Sequence, residues 1–261
     1  MKIRFTKYHG TGNDFIIINN ISNSFPKDNS EVISKLCDRK FGIGADGLIL
    51  IEKHQKFNFE MIYYNSDGNL GSMCGNGARC SIHFSMLNKL IKNKTNFLAF
   101  DGSHTGSVID NLVNVSMSDV LSFQKLDDFI LVDTGSPHLV KCVDDINSID
   151  IIKISREIQK DRRFKYGVNV NLISEGKDDV YNIRTYERGV ENETLSCGTG
   201  AVAAAISLNI LSLNNSNCIK LKTRGGILTV NLKRSKNIFK NIYLSGSVNR
   251  VFDGSIEIWK K

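Results

Sequence analysis

The chain has 261 residues, 41% hydrophobic and 23% charged, which suffices for two domains of about 130 residues, each with its own core. No run approaches the roughly 20 apolar residues of a membrane span, and the opening "MKIRFTKYHGTGNDF" lacks the apolar stretch of a secretory leader, so a cytoplasmic protein with no membrane partner is expected. The net charge of +7 comes from lysines scattered among acids in turn-like segments without any nucleic-acid motif, which argues against a nucleic-acid partner.

In chain order, "RFTKYHG" and "FIIIN" read as strands around a turn at Thr11-Gly12. "NSEVISKLCDRK" has helical spacing. "GLILIE" and "FNFEMIYYN" follow as strands, then a cysteine turn, "SMCGNGARC", that opens a helix. "NFLAFD", "SVID" and "LVNVSM" are strands again. Beyond "MSDVLSFQKLDD" the order repeats: strands "FILVD" and "HLVKCV" around Thr134-Gly135, a helix in "SIDIIKISREIQKD", and strands "NVNLISE" and "VYNIRTYE". A second cysteine turn, "LSCGTGAVA", then opens a helix, and "CIKLKT", "ILTVNL" and "NIYLSG" close the repeat.

The repetition extends to identities. Cys74 and Cys197 stand 123 residues apart, and the same offset carries Thr11-Gly12 onto Thr134-Gly135, Arg39 onto Arg162, Gly44 onto Gly167, Tyr63 onto Tyr186 and Gly102 onto Gly225. One constant register without a gap indicates an internal duplication. The helix "GAVAAAISLNILSL" is apolar or small nearly all round and must be enclosed. The expected fold is therefore α+β: two similar domains, each a curled, mostly antiparallel sheet around a central helix. The expected boundaries are 1–117 and 118–249, with a strand at about 250–261 returning to the first domain.

Six cysteines are present, without a C-x-x-C pair or a common zinc spacing, so neither a metal nor a disulfide framework is expected. Cys37, Cys142 and Cys218 read as small core hydrophobes, as does Cys80 within its helix. Cys74 and Cys197 are different, because each precedes a Gly-x-Gly-Ala helix start. A helix N-terminus presents unpaired N–H groups and a partial positive charge, and the glycines let a ligand approach the backbone. Each turn is then an anion cradle with a thiol at its rim, where the thiolate becomes more accessible. A pseudo-twofold pair of such cradles sharing one carboxylate would set a thiol on each side of its Cα. That arrangement suits stereoinversion by two opposed bases. A nucleophilic hydrolase would need a His partner, which His138 offers to one half only, since Phe15 stands at the matched place. A redox dithiol remains the reading from another class, alongside a non-catalytic amino-acid-binding protein.

The motifs "KYHGTGNDFIIIN", "FGIGADGLIL", "MCGNGARC", "GVNVN" and "YERGVENETLSCGTGA" resemble those of the diaminopimelate epimerases over nearly the whole chain. The related proline racemases resemble Cys-Gly-His-Gly at the first turn, where this chain has Asn76. The resemblance implies interconversion of LL- and meso-diaminopimelate, on the route to lysine and peptidoglycan precursors, without pyridoxal phosphate or any other cofactor. Proline or hydroxyproline racemisation on the same fold is the alternative enzyme. The resemblance implies that Cys74 and Cys197 are the acid–base pair, with the reacting carboxylate on Gly75 and Asn76 and on Gly198 and Thr199. It places Glu187 at the reacting ammonium and His138 near the same centre, and it gives the distal end of the substrate to Asn13, Asn65, Asn169 and Arg188. A homodimer follows from the resemblance alone. Two departures concern the distal pocket: Ser136 stands where many members have Asn, with a water expected to bridge its shorter reach, and Gly47 stands where many have Gln.

Overall fold

The computed structural model describes residues 1–110 and 112–258. Its elements in chain order are β1 (Lys2–Gly10), β2 (Asn13–Asn19), α1 (Ser30–Cys37), β3 (Gly47–Glu52), β4 (Phe59–Asn65), α2 (Gly75–Leu87), β5 (Lys94–Ala99), β6 (Gly102–Ile109) and β7 (Leu112–Ser116). There follow β8 (Phe123–Leu126), β9 (Phe129–Asp133), β10 (Pro137–Cys142), α3 (Ile151–Ile158), a 3-10 turn at Arg162–Phe164, β11 (Asn169–Ser174), β12 (Val180–Glu187) and β13 (Asn192–Thr194). The chain closes with α4 (Gly198–Ile210), β14 (Cys218–Thr223), β15 (Gly226–Ser235) and β16 (Ile238–Glu257). It divides into two compact units, one of Met1–Val115 with the chain from Ser247 on, the other of Ser116–Gly246. Of the returning strand expected at about 250–261, positions 259–261 lie outside the described residues.

In the first unit the strands lie in the order β1 to β7. Most neighbours are antiparallel, but β2 runs parallel to β3 and β4 parallel to β5. Parallel neighbours need a crossover connection, and α1 and α2 supply one each. β2 is buried on both faces because each face meets a helix. Ile16 and Ile18 pack with Ile33 and Leu36 of α1. On the other face a Cβ on Gly77 of α2 would come 3.0 Å from Ile49 and 3.5 Å from Phe15. The sheet curls around α2, which touches β1, β2, β3, β4 and β6. Residues 248–257 run antiparallel along β1, pairing Gly10 with Val248 and Lys2 with Glu257.

The second unit repeats this plan, with β10 parallel to β11 across α3, and β12 parallel to β14 across α4. Leu139, Val170, Leu172 and Tyr186 pack on Ile151 of α3. α4 is the enclosed helix, with every residue but Thr199 buried. It touches β9, β10, β11, β12, β14 and β15.

Three details depart from the sequence reading. The offset of 123 is not constant. It would carry the Gly47–Asn65 pair of β3 and β4 onto Val170 and Arg188, whereas Val170 pairs with Tyr186. The slack lies before β3: Phe15 pairs with Gly47, but His138, 123 residues on from Phe15, pairs with Asn169, so the connection from β10 to β11 is one residue shorter than that from β2 to β3, and surface connections absorb such changes at little cost. Because a one-residue slip turns a side chain to the other face, Tyr63 and Tyr186 are not equivalent. Tyr186 packs towards α3, while Tyr63 stands on the face of β4 that carries Met61, beside α2. Second, β8 occupies the segment read as an interdomain break, pairing with β9. Third, Cys218 is exposed and Cys142 half-buried, so neither is the core hydrophobe that composition suggested. Cys218 begins β14 with its alternate neighbours Ile219 and Leu221 facing inward, and that alternation turns its thiol to solvent.

Candidate active site

Cys74 is the N-cap of α2, and its Sγ accepts from the Gly77 N–H at 3.5 Å. The thiol also reaches Asn13 Oδ1 at 3.6 Å, the same oxygen that accepts from Asn76 Nδ2 at 3.2 Å. Asn13 cannot flip without loss, because its Nδ2 donates to Asp46 Oδ2 at 2.7 Å. Asp46 is held by Arg39 at 2.7 Å, and Arg39 also grips Asp14 with both terminal nitrogens at 3.0 and 2.7 Å. Lys7 adds a bond to Asp14 at 2.6 Å and another to the Gly44 carbonyl. Burial alone would raise the Asp14 carboxyl, but the hydrogen bonds from Arg39 and Lys7 hold it well below the usual carboxylate range. A charged network thus fixes the amide that faces the first thiol.

Asn65 ends β4 on an exposed turn, opposite Gly47. A Cβ on Gly47 would lie 2.5 Å from the Tyr63 ring and 2.5 Å from the Tyr64 carbonyl oxygen, and one on Gly71 would lie 2.5 Å from the same ring. The tyrosine therefore fills the space that a side chain at 47 would need.

Cys197 is the N-cap of α4 and is buried, with its Sγ 3.4 Å from Thr199 Oγ1. That hydroxyl is 3.0 Å from His138 Nε2, while His138 Nδ1 lies 2.8 Å from Asn171 Oδ1. Asn171 Nδ2 donates to Thr185 at 2.8 Å, so its oxygen faces the ring and His138 carries its proton on Nδ1. Burial pushes His138 down to about 4, outweighing the Asn171 hydrogen bond, so the ring is neutral at pH 7. Its Nε2 then accepts from Thr199, which leaves the hydroxyl lone pairs for the Cys197 S–H. Gly200 makes room for this chain, since a Cβ there would lie 2.6 Å from Asn171 Nδ2.

Around it, Asn169 Nδ2 donates to Ser136 Oγ at 2.7 Å, and Asn169 Oδ1 accepts from the Arg188 N–H at 3.0 Å. Ser136 thus reaches Asn169 directly. Glu187 accepts from the Thr194 hydroxyl at 2.6 Å. The Arg188 guanidinium donates to the Tyr166 and Gly167 carbonyls at 3.0 and 3.4 Å.

The structure joins Asn13, Asn76 and Cys74 in the first unit, and Ser136, His138, Asn169, Cys197 and Thr199 in the second. Gly75 and Gly198 are the first residues of their helices, where backbone N–H groups lack intrahelical partners. The sequence reading did not single out Asp46, Asn171, Thr185 or the Thr199 hydroxyl. Alternation in "GVNVN" puts Asn171 on the same face as Asn169 and was a usable signal for it. No local pattern links Asp46 to Asn13. Among the described residues no group of three or more His, Cys, Asp or Glu is set to hold a metal ion. Burial pushes the Cys37 thiol up to about 12 and raises Cys80 as well, so both stay protonated at neutral pH.

The two helix-enclosing sheets that carry these cysteine-capped helices make up a fold shared with several solved proteins. A phenazine biosynthesis protein of the PhzF family from Bacillus anthracis matches at TM-score 0.78 and 12% identity, covering 99% of this chain and 100% of its own. A hydroxyproline epimerase from Agrobacterium vitis matches at TM-score 0.70 and 13% identity, over 98% of this chain and 92% of its own. At such identities the likeness is one of fold. Sequence narrows it: the profile of the diaminopimelate epimerase family matches residues 5–118 and 130–251, and the chain belongs to that family. The diaminopimelate epimerase of Flavobacterium psychrophilum is 45% identical over 97% of this chain and its own full length. That of Aquifex aeolicus is 34% identical over 97% of this chain and 98% of its own length.

Proposed function

We propose that this chain interconverts LL- and meso-diaminopimelate by two-base inversion at Cα, with Cys74 and Cys197 as the bases. The observation that carries the reading is the matched pair of helix caps: each cysteine opens a central helix in a member of the diaminopimelate epimerase family. In this reading one thiolate removes the Cα proton while the opposite thiol delivers a proton to the other face. The reverse reaction exchanges the roles. The backbone N–H groups of Gly75, Asn76, Gly198 and Thr199 receive the reacting carboxylate and stabilise the charge that develops on it. Glu187 and His138 stand at the ammonium, while Asn13, Asn65, Asn169 and Arg188 receive the distal amino acid.

The two thiols are not equivalent in their surroundings. Cys74 Sγ lies beside an amide oxygen, which can only accept, and itself accepts from the Gly77 N–H. Cys197 faces a hydroxyl, which accepts from S–H and can rotate to donate to S⁻. The reaction needs no pyridoxal phosphate or metal in this account, because the thiols carry both proton transfers. The product enters lysine and cell-wall precursor synthesis. We place the enzyme in the cytoplasm, as a homodimer, on the family resemblance; sedimentation velocity tests the second.

The deciding experiment is incubation in D2O with diaminopimelate, with L-proline in parallel. Deuterium at Cα of diaminopimelate alone, abolished in Cys74→Ala and Cys197→Ala, is expected. Exchange into proline, or near-normal turnover by either variant, overturns the assignment.

A further inference from the structure

Arg79, in the first half of α2, is 0% exposed. It makes two hydrogen bonds, both through Nη2: to Asn76 Oδ1 at 2.9 Å and Thr11 Oγ1 at 3.3 Å. Among the described residues its Nε and Nη1 are buried with no hydrogen-bond partner, and no carboxylate pairs with it. Arg184 shows the usual solution, a bidentate grip on Glu193 at 2.7 and 2.8 Å. The position makes the charge costlier still. Arg79 stands towards the positive end of its helix, whose first turn contains no acidic residue. Burial pushes its guanidinium down to about 10, and the thiols of Cys80 and Cys74 are the groups whose charge would oppose that. Packing does not explain it, since an apolar side chain of like size avoids the desolvation.

The single bonded nitrogen points along a defined path. Arg79 Nη2 holds Asn76 Oδ1, Asn76 Nδ2 holds Asn13 Oδ1, and that oxygen faces Cys74 Sγ. A Cβ on Gly10 would lie 3.3 Å from Nη2 and 3.1 Å from the Asn76 carbonyl, so glycine there leaves room for the arrangement. We propose that Arg79 is a positioning residue that supplies the buried countercharge for the Cys74 thiolate, acting through Asn76 and Asn13. It touches neither substrate nor reacting atoms. When Cys74 carries S–H the guanidinium is unbalanced, and when Cys74 ionises the two charges offset each other in a low-dielectric interior. Asn76, polarised by the guanidinium, also binds Asn13 Oδ1 more firmly and so competes with the S–H for that acceptor. The inference rests on Cys74 being an acid–base group, and alkylation tests it without requiring turnover.

The experiment compares Arg79→Met and Arg79→Lys with the parent protein. Iodoacetamide modification of Cys74 is timed at pH 7 by peptide mass mapping, with the exposed Cys218 as internal reference. Thermal midpoints and steady-state kinetics with diaminopimelate accompany it. Arg79→Met is expected to slow Cys74 alkylation by about tenfold, one pKa unit's worth, with Cys218 unchanged. It should melt at or above the parent's temperature and lose kcat more than it raises KM. Arg79→Lys should keep Cys74 alkylation within about threefold of the parent, since it keeps the charge. Cys74 alkylation at the parental rate in Arg79→Met overturns the proposal. So does a melting temperature several degrees lower or a failure of Arg79→Met to fold, either of which marks a structural arginine. Equal slowing in Arg79→Lys overturns it as well. Unchanged alkylation with lost turnover in Cys74→Ala would sink this inference alone and leave the two-base reading standing.

Discussion

The imidazole of His138 and the hydroxyl of Thr199 are 3.0 Å apart, and the tautomer set by Asn171 makes threonine the donor. Thr199 thereby links a neutral, buried histidine to the Cys197 thiol 3.4 Å away. In the first unit Phe15 holds the place of His138 on β2, and Cys74 faces an amide held on a charged network.

Thr199→Val should lower kcat about tenfold or more, within the range of a lost general acid–base contribution, with KM changed less than threefold. Thr199→Ser, which keeps the hydroxyl, should remain near the parent. Steady-state assays in both directions check this, and a fully active valine variant would remove the hydroxyl from the proton path.

His138 makes stability depend on acid. Its pKa falls from the ordinary 6.5 to about 4 on folding because the ring is buried. The unfolded chain therefore binds the proton first, and stability falls as pH drops from about 6.5 towards 4. The full span is worth at most about 3 kcal/mol. Urea denaturation at pH 7.5 and 4.5 should show this loss, and His138→Gln should flatten it. Asp14, held low by Arg39 and Lys7, acts in the same direction in a lower window, below the ordinary carboxylate value.

Gly47→Ala should cost roughly 1–3 kcal/mol, the usual penalty for overpacking. Its Cβ meets the Tyr63 ring and the Tyr64 carbonyl oxygen, both at 2.5 Å. Tyr63→Ala added to it should recover only part, because the carbonyl belongs to the backbone. An unchanged thermal midpoint for Gly47→Ala would refute the close approach.

Asp46→Ala should reduce kcat/KM about tenfold, about the 1.4 kcal/mol expected for a hydrogen bond to a charged group, while changing stability little. The side chain is 44% exposed, so its pair with Arg39 contributes modestly to folding, yet it accepts from Asn13 Nδ2 and so orients that amide. Kinetics alongside thermal melts separate the two effects. A large drop in melting temperature with intact kcat/KM would count against the orienting role.

Much of the fold was legible because it is written locally. "GLILIE", "VYNIRTYE", "FILVD" and "CIKLKT" are strands over the residues that their alternation and apolar runs indicate. Both cysteine turns open helices at the next residue, and the small, apolar composition of α4 required its enclosure. β8 was missed because its four residues, two half-buried and two exposed, gain strand geometry from pairing with β9, not from their own pattern. The exact offset between halves misled at Tyr63 and Tyr186, because identity along the chain says nothing about which face a strand presents once a loop has changed length.

The sequence by itself determined the duplication, the two cysteine-capped helices and the family, since each rests on residues adjacent in the chain or repeated along it. Only the tertiary structure decided what each thiol faces. Asn13 and Cys74, 61 positions apart, and His138 and Thr199, likewise 61 apart, meet because curled sheets fold around their helices. The physical reason is that propensity and periodicity are short-range, whereas hydrogen-bond partners, burial and the balance of buried charge depend on which distant segments the fold brings within about 3 Å. The unneutralised guanidinium of Arg79 belongs to that second kind: in the sequence it is one more arginine after a glycine turn, and burial alone makes it a charge in need of an anion.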